Sequence, residues 1–396
     1  MARTIGAGRT QGFGSSIFSE MSRLAVQHGA VNLGQGFPDF AGPDFVKAAA
    51  HAAIDADMNQ YAISHGAPRL RRAIAATWAR DWGQEIDPET EITVASGATE
   101  VLADAMLAFL DPGDEVIVFE PFYDAYQPTI GFAGATVRPV TLHAPNWSID
   151  PDELAAAFTP RTRLLLLNTP HNPTGKVFTR AELTQIAALC IEHDVLAVTD
   201  EVYDRIVYHD TGATHLPLAT LPGMWERTLT VNSTGKTFSM TGWKIGYAIG
   251  PASLNTALRT VHQFVTFATA TPFQEAMAVA LELAAENGYY ERLRGEYKAR
   301  RDLLAAALHD AGLATLPIGG SYFLLADIAP LGFPDDAAFC RYLAAEIGVA
   351  AIPPSAFYLD PSRAPQLARF CFAKRPETIA AAAERLIALR RRPQSR

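Results

Sequence analysis

The residues that could carry chemistry begin with Lys236, in Ser233-Thr-Gly-Lys236. Ser-x-x-Lys is the nucleophile and base of penicillin-binding enzymes, an acyl-hydrolase reading, but the chain has no Lys-Thr-Gly partner and no Gly-x-Ser-x-Gly elbow. Gly235-Lys236-Thr237 ends like a phosphate-cradling loop, yet Thr230 stands where its first glycine must fall. Gly6-Ala-Gly8 with Gly12 has the wrong spacing for a dinucleotide fingerprint and no strand before it, which leaves a flexible arm. The ten histidines include no His-x-x-x-His pair, so no metal is expected.

What survives is an ordered set. Ser96-Gly-Ala-Thr99, Asn168-Thr-Pro-His-Asn172-Pro-Thr-Gly175, Asp200-Glu-Val-Tyr203, Ser233-Thr-Gly-Lys236 and Thr241-Gly-Trp-Lys244 follow one another along the chain. Singly, Asn172 shapes a turn, Asp200 caps a helix and Lys236 is an exposed charge. Together they sit at strand ends, where an open α/β sheet places its ligand crevice.

The elements that must position them alternate. Short β-branched runs at 91–95, 115–119, 135–140, 163–168, 195–199, 228–232 and 244–249 are separated by helical stretches, among them 98–110 and 180–193. Near-continuous apolar strands between helices predict a mostly parallel sheet covered on both faces. After Phe273 one long helical stretch runs from about Gln274 to Ala311. A strand at 322–327, a helix near 335–346, a strand at 368–372 and a helix from Pro376 complete a smaller α+β unit.

Composition narrows the partners. The 396 residues carry 33 Lys plus Arg against 42 Asp plus Glu, a formal charge of −9, which argues against nucleic acid. The basic run Arg390-Arg391-Arg392 reads as a solvated tail. Apolar residues at 49% and charged residues at 19% are those of a chain that folds, at a length that suggests two or three domains. Cys190, Cys340 and Cys371 have no metal or redox spacing and fit buried thiols in a reducing compartment. No apolar stretch reaches the roughly 18 residues of a membrane span, and 1–16 lack a secretory apolar region, so a cytoplasmic location is expected. The sequons at Asn146 and Asn232 are then accidental.

The set resembles the fold-type I pyridoxal-phosphate enzymes, the class I/II aminotransferases. VNLGQGFPDF (31–40), Asn59-Gln-Tyr61, NTPHNPTGKVF (168–178), LPGMWERTLT (221–230), TGKTFSMTGWKIG (234–246) and RFCFAK (369–374) are similar to the branch holding kynurenine/glutamine transaminases and bacterial methionine aminotransferases. The likeness runs from about residue 17 to about 388. It implies an α/β large domain with a seven-stranded-type sheet plus a smaller α+β domain. The divisions are 1–45 (arm and part of the small domain), 46–285 (large cofactor-binding domain) and 286–396 (small domain).

The resemblance also implies roles. Pyridoxal phosphate needs an amine to condense with its aldehyde, and Lys236 falls there; an ordinary lysine, with pKa about 10.4, is protonated at neutral pH and must be tuned by desolvation and nearby cations. Asp200 supplies the anion that keeps the ring nitrogen protonated, Tyr203 and Asn172 face the phenolic oxygen, and Tyr123 stacks on the ring. Lys244, the Ser233 hydroxyl and the amides of Ala98 and Thr99 at a helix N-terminus bind the phosphate, joined by Tyr61 of a second subunit. Arg369 clamps the substrate carboxylate bidentately, with Asn172, Gly36, Phe18 and Phe267 lining the substrate pocket. Tyr61 and Phe267 reaching across imply a two-fold homodimer with shared sites.

The implied reaction is amino transfer from a donor to a 2-oxo acid with ping-pong kinetics. Cysteine-S-conjugate β-elimination is the alternative on the same fold, and a non-catalytic cofactor-binding regulator is the third reading. His171 stands where many relatives carry Asn, and Phe18 and Ala268 stand where animal kynurenine aminotransferases carry Trp and His. Thr99 stands where some aspartate aminotransferases carry Lys. An unpaired second carboxylate is costly to bury, so the expected donors are large and neutral: methionine, glutamine, aromatic amino acids or kynurenine.

Overall fold

The computed structural model describes residues 6–391 except 12 and 15. Gly12 of the N-terminal glycine pattern and Arg392 of the basic run lie outside the described residues.

The strands are β1 (Val31–Asn32), β2 (Ile92–Ala95), β3 (Glu115–Glu120), β4 (Thr136–His143), β5 (Ser148–Ile149), β6 (Thr162–Asn168), β7 (Leu196–Asp200), β8 (Thr228–Ser233), β9 (Gly246–Ile249), β10 (Ala314–Thr315), β11 (Phe323–Asp327), β12 (Val349–Ala350) and β13 (Leu367–Cys371). The central sheet runs β2-β9-β8-β7-β6-β3-β4-β5. Its middle, from β8 through β4, is parallel, whereas β9 opposes both of its neighbours. The seven expected strands are present, and the eighth is the short antiparallel edge β5, which alternation did not reveal.

Leu164, Leu165, Leu166 and Leu167 of β6 are all buried, because helices cover both faces of the sheet. Burying each such side chain contributes about 1.5–3 kcal/mol, so these central strands fix the register. That register sets Asn168 beside Asp200, and Asp200 beside Val231, two residues before Ser233. The polar strand ends are thereby brought to one edge.

The single helix expected over 274–311 is two, Thr271–Glu286 and Tyr289–Asp310. Gly288, at φ 69°, takes the left-handed conformation that ends one helix and starts the next. The second helix packs into a core with the C-terminal segment. There β10-β11-β13 form an antiparallel sheet, and β1 pairs in parallel with β12. Met21 and Leu33 belong to the same core, so the N-terminal segment packs with the C-terminal one. The helix at Asp336–Tyr342 continues as a π turn, Leu343–Ile347.

Candidate active site

A cavity of about 430 Å³ opens at the carboxyl ends of the parallel strands. Phe18, Gly36, Ala98, Thr99, Tyr123, Asn172, Asp200, Tyr203, Ser233, Lys236, Lys244 and Arg369 all line it, each from a different stretch of sequence or its neighbour. Tyr61 and Phe267 do not. They meet edge to face at 5.2 Å and are 83% and 46% exposed, outside the cavity of this chain.

The floor carries an acid and an amine. Asp200 ends β7, buried, accepting from the Tyr126 hydroxyl at 2.7 Å and from the Val202 amide at 3.4 Å. Burial pushes its pKa up to about 6, against the pull of those two donors and of Lys236. Lys236 sits in the short helix Thr234–Thr237 that follows β8. Its pKa is drawn down to about 8, chiefly by removal from water; Cys371 and Asp200 oppose the shift, and Lys244 and Arg369 add to it.

The phosphate-sized end is built on close backbone approach. The helix Ala98–Phe109 starts at Gly97, and its internal bonds begin with the Glu100 and Val101 amides, both to the Gly97 carbonyl. The amides of Ala98 and Thr99 are thus the orphan donors of a helix N-terminus, with its partial positive charge. A Cβ on Gly97 would lie 2.7 Å from Lys244 Nζ, so glycine is what lets that ammonium lie over the helix end. A Cβ on Gly246 would lie 2.3 Å from the Gly97 carbonyl carbon, which presses β9 against the same turn. The Ser233 hydroxyl donates to the Ile245 carbonyl at 3.2 Å and accepts from the Gly235 amide at 3.2 Å, so it must rotate to donate to an anion.

Arg369 stands on β13 and reaches the cavity from the other sheet. It is 1% exposed, donating to Asn172 Oδ1 at 2.9 Å and to the Gly34 carbonyl at 3.0 Å. The rings of Phe323, Phe18 and Phe357 lie 4.0, 5.1 and 5.2 Å from its guanidinium carbon. These faces favour a cation that has lost its water. Its Nε is buried with no partner, a donor held for something the chain does not supply.

Several residues of the site were not anticipated. Tyr126 and Asn168 hold Asp200, the latter donating to its backbone carbonyl at 2.8 Å and accepting from the Asn172 amide at 2.7 Å. The Tyr123-Asp-Ala-Tyr126 spacing and the Asn168 strand end carried the available signal. Asp124 and Phe37 also line the cavity. Lys374 is buried, donating to the Phe37 and Gln35 carbonyls at 2.8 and 3.3 Å.

Glu100, Asp104 and His262 meet beside the cavity wall, a carboxylate-and-imidazole cluster that no sequence spacing announces. His262 Nδ1 lies 2.7 Å from Glu100 and Nε2 lies 2.7 Å from the Ser64 carbonyl, so both ring nitrogens face acceptors. Burial opposes the charge, but Asp104, Glu100 and the Ser64 carbonyl raise its pKa to about 9. The imidazolium itself is therefore the cation that these carboxylates need.

An amine of lowered pKa, a buried anion, an ammonium over a helix N-terminus and a desolvated guanidinium are what pyridoxal phosphate and an amino-acid carboxylate require. The profile of the family described as aminotransferase class I and II matches residues 29–386. The chain belongs to the class I and II aminotransferases. This aminotransferase is a pyridoxal-phosphate-dependent enzyme of fold type I. It is 46% identical to a probable N-succinyldiaminopimelate aminotransferase, DapC, of Mycobacterium tuberculosis, over 97% of this chain and 98% of that protein. It is 41% identical to kynurenine–oxoglutarate transaminase 3 of Mus musculus, over 96% and 89%. The solved structure of YbdL from Escherichia coli, described as having a methionine aminotransferase function, superposes with a TM-score of 0.93 at 41% identity, covering 98% of this chain and 100% of that one. Among the described residues no helix is long and apolar enough to cross a membrane.

Proposed function

We propose that this aminotransferase takes the amino group from a large neutral L-amino acid, methionine or an aromatic first, and passes it to a 2-oxo acid. The observation that carries the reading is the charge pattern of the cavity. Among the described residues lining it, the basic ones are Lys236, Lys244 and Arg369, and the acid beside Arg369 is Asp124. Lys236 and Lys244 serve the cofactor in this reading, so one cation is left for the α-carboxylate. A second carboxylate would meet Asp124 and aromatic rings, and leaving it unpaired costs several kcal/mol.

Asp200 would hold the ring nitrogen, Tyr203 and Asn172 the phenolic oxygen, Tyr123 the ring face, and Lys244, Ser233 and the amides of Ala98 and Thr99 the phosphate. Bound there, pyridoxal phosphate supplies an aldehyde for amines and a ring that delocalises the electrons left by α-proton removal. Arg369 binds and orients the substrate carboxylate, and Phe18, Phe323 and Phe357 exclude water around it. Lys236 Nζ would take the proton from the donor's α-carbon and deliver it to the carbon that was the cofactor's aldehyde, and the reverse would serve the 2-oxo acid. Because donor and acceptor use this machinery in turn, ping-pong kinetics follow.

A donor panel with a fixed 2-oxo acid tests the reading. Methionine, phenylalanine, kynurenine and glutamine should exceed aspartate in kcat/KM by about 100-fold or more. Aspartate as the best donor would overturn it. A second reading comes from the Mycobacterium tuberculosis relative: N-succinyldiaminopimelate, whose long acyl arm would extend out of the cavity, belongs in the same panel. Pyruvate and ammonia released from a cysteine S-conjugate, without oxo-acid dependence, would favour β-elimination instead.

We infer a cytoplasmic homodimer. Tyr61 and Phe267 pair outside their own cavity, beside Phe264 at 82% and Val265 at 57% exposed, an apolar face suited to a second copy. Tyr61→Phe and Lys236→Ala chains, each impaired alone, should regain activity when mixed. A fully active monomer in sedimentation would refute the shared site.

A further inference from the structure

Lys236 Nζ lies 3.0 Å from the Tyr322 hydroxyl and 3.5 Å from the Gly36 carbonyl, and that hydroxyl lies 2.5 Å from the same carbonyl. A carbonyl only accepts, so the phenol proton goes to Gly36 and its oxygen lone pair is left for an N–H of Lys236. The Tyr203 hydroxyl is a second polar neighbour of that phenol, and packing holds Tyr322 itself in place. It is 0% exposed, its ring stacked on Tyr297 at 5.9 Å and edge-on to Tyr203 at 5.0 Å and Phe323 at 4.9 Å. Gly36 is equally fixed, since a Cβ there would lie 2.9 Å from Phe323.

We propose that Tyr322 is a positioning residue for amino transfer, holding the free Lys236 amine at one point of the cavity floor through a hydroxyl anchored on the Gly36 carbonyl. The inference rests on Lys236 being the reacting amine. A lysine that alternates between attachment and proton transfer would otherwise sample many rotamers when released. The other groups acting on it are Asp200, which attracts it, Lys244 and Arg369, which repel it, and the Cys371 thiol. The Tyr322 phenol is neutral, so it adds no charge beside the amine, while its lone pair modestly favours the ammonium. It also ties Lys236 to the 34–37 loop, which supplies Gly34 to Arg369 and Gly36 to the cavity wall.

Cofactor-free protein labelled with an amine-reactive reagent across a pH series, with Lys236 read by peptide mass spectrometry, tests this apart from turnover. Tyr322→Phe keeps the ring and removes the acceptor that favours the ammonium. Its labelling midpoint should fall by about one pH unit, and its kcat by about ten-fold with donor KM nearly unchanged. Tyr297→Phe removes a hydroxyl from the stacked ring without touching Lys236, and should leave the midpoint in place. Equal shifts in the two variants would mark a packing effect and overturn the proposal, as would an unmoved midpoint in Tyr322→Phe. Cofactor still fixed by borohydride in Lys236→Ala would instead sink the assignment of Lys236 itself.

Discussion

Lys236→Ala is expected to purify folded, to hold no pyridoxal phosphate covalently after borohydride reduction, and to turn over any donor about 10⁴-fold more slowly or worse. The size follows from two losses at one atom. Nζ is the only candidate amine at the floor among the described residues of the cavity, since Lys244 lies over the N-terminus of the helix Ala98–Phe109 at the far end. In the proposed reaction it is also the base. A pKa near 8 leaves an appreciable neutral fraction at neutral pH, where an unperturbed lysine would have almost none. Folding should be spared, because burying an ammonium against its desolvation cost stabilises nothing that alanine lacks. Rates within ten-fold of the parent enzyme would show that another group abstracts the proton.

Arg369→Lys should raise donor KM and lower kcat/KM by about 100-fold, and Arg369→Leu by about 1,000-fold. A lysine keeps the charge but loses the planar fork, and its stem cannot donate to Asn172 and Gly34 while binding a carboxylate. The Leu variant should melt near the parent, since it leaves the Asn172 and Gly34 acceptors without a donor but removes a buried charge. A buried guanidinium with an unpartnered Nε is a poor source of stability, and an apolar side chain among Phe18, Phe323 and Phe357 fits that space. Loss of activity with a retained melting temperature separates a functional charge from a structural one. The contrast can be checked with an amine that lacks a carboxylate, whose slow reaction should be indifferent to either change.

Which residues were legible in the sequence follows from how each is positioned. Lys236, Asp200, Asn172 and the Ala98–Thr99 helix start are placed by local rules: an apolar strand, its end, and a turn. The parallel register of β6, β7 and β8 then sets them side by side without further information. Arg369 was legible through its family motif but not through its geometry, since it reaches the site from a different sheet. The single long helix expected after Phe273 failed at Gly288, where a left-handed residue interrupts an otherwise continuous helical composition.

Near-continuous apolar strands and the polar residues at their ends are written into consecutive residues, and the sequence by itself determined the sheet and its crevice and marked Lys236 and Asp200 as the candidate amine and acid. Only the tertiary structure decided what holds those groups. Tyr322 meets Gly36 across 286 residues, Arg369 meets Asn172 across 197, and His262 meets Glu100 across 162. Such pairs have no period and no motif, because each contact exists only after elements far apart in sequence have packed together. The fine tuning of Lys236 belongs to the same class, since desolvation depends on what closes over a side chain and not on its neighbours in sequence.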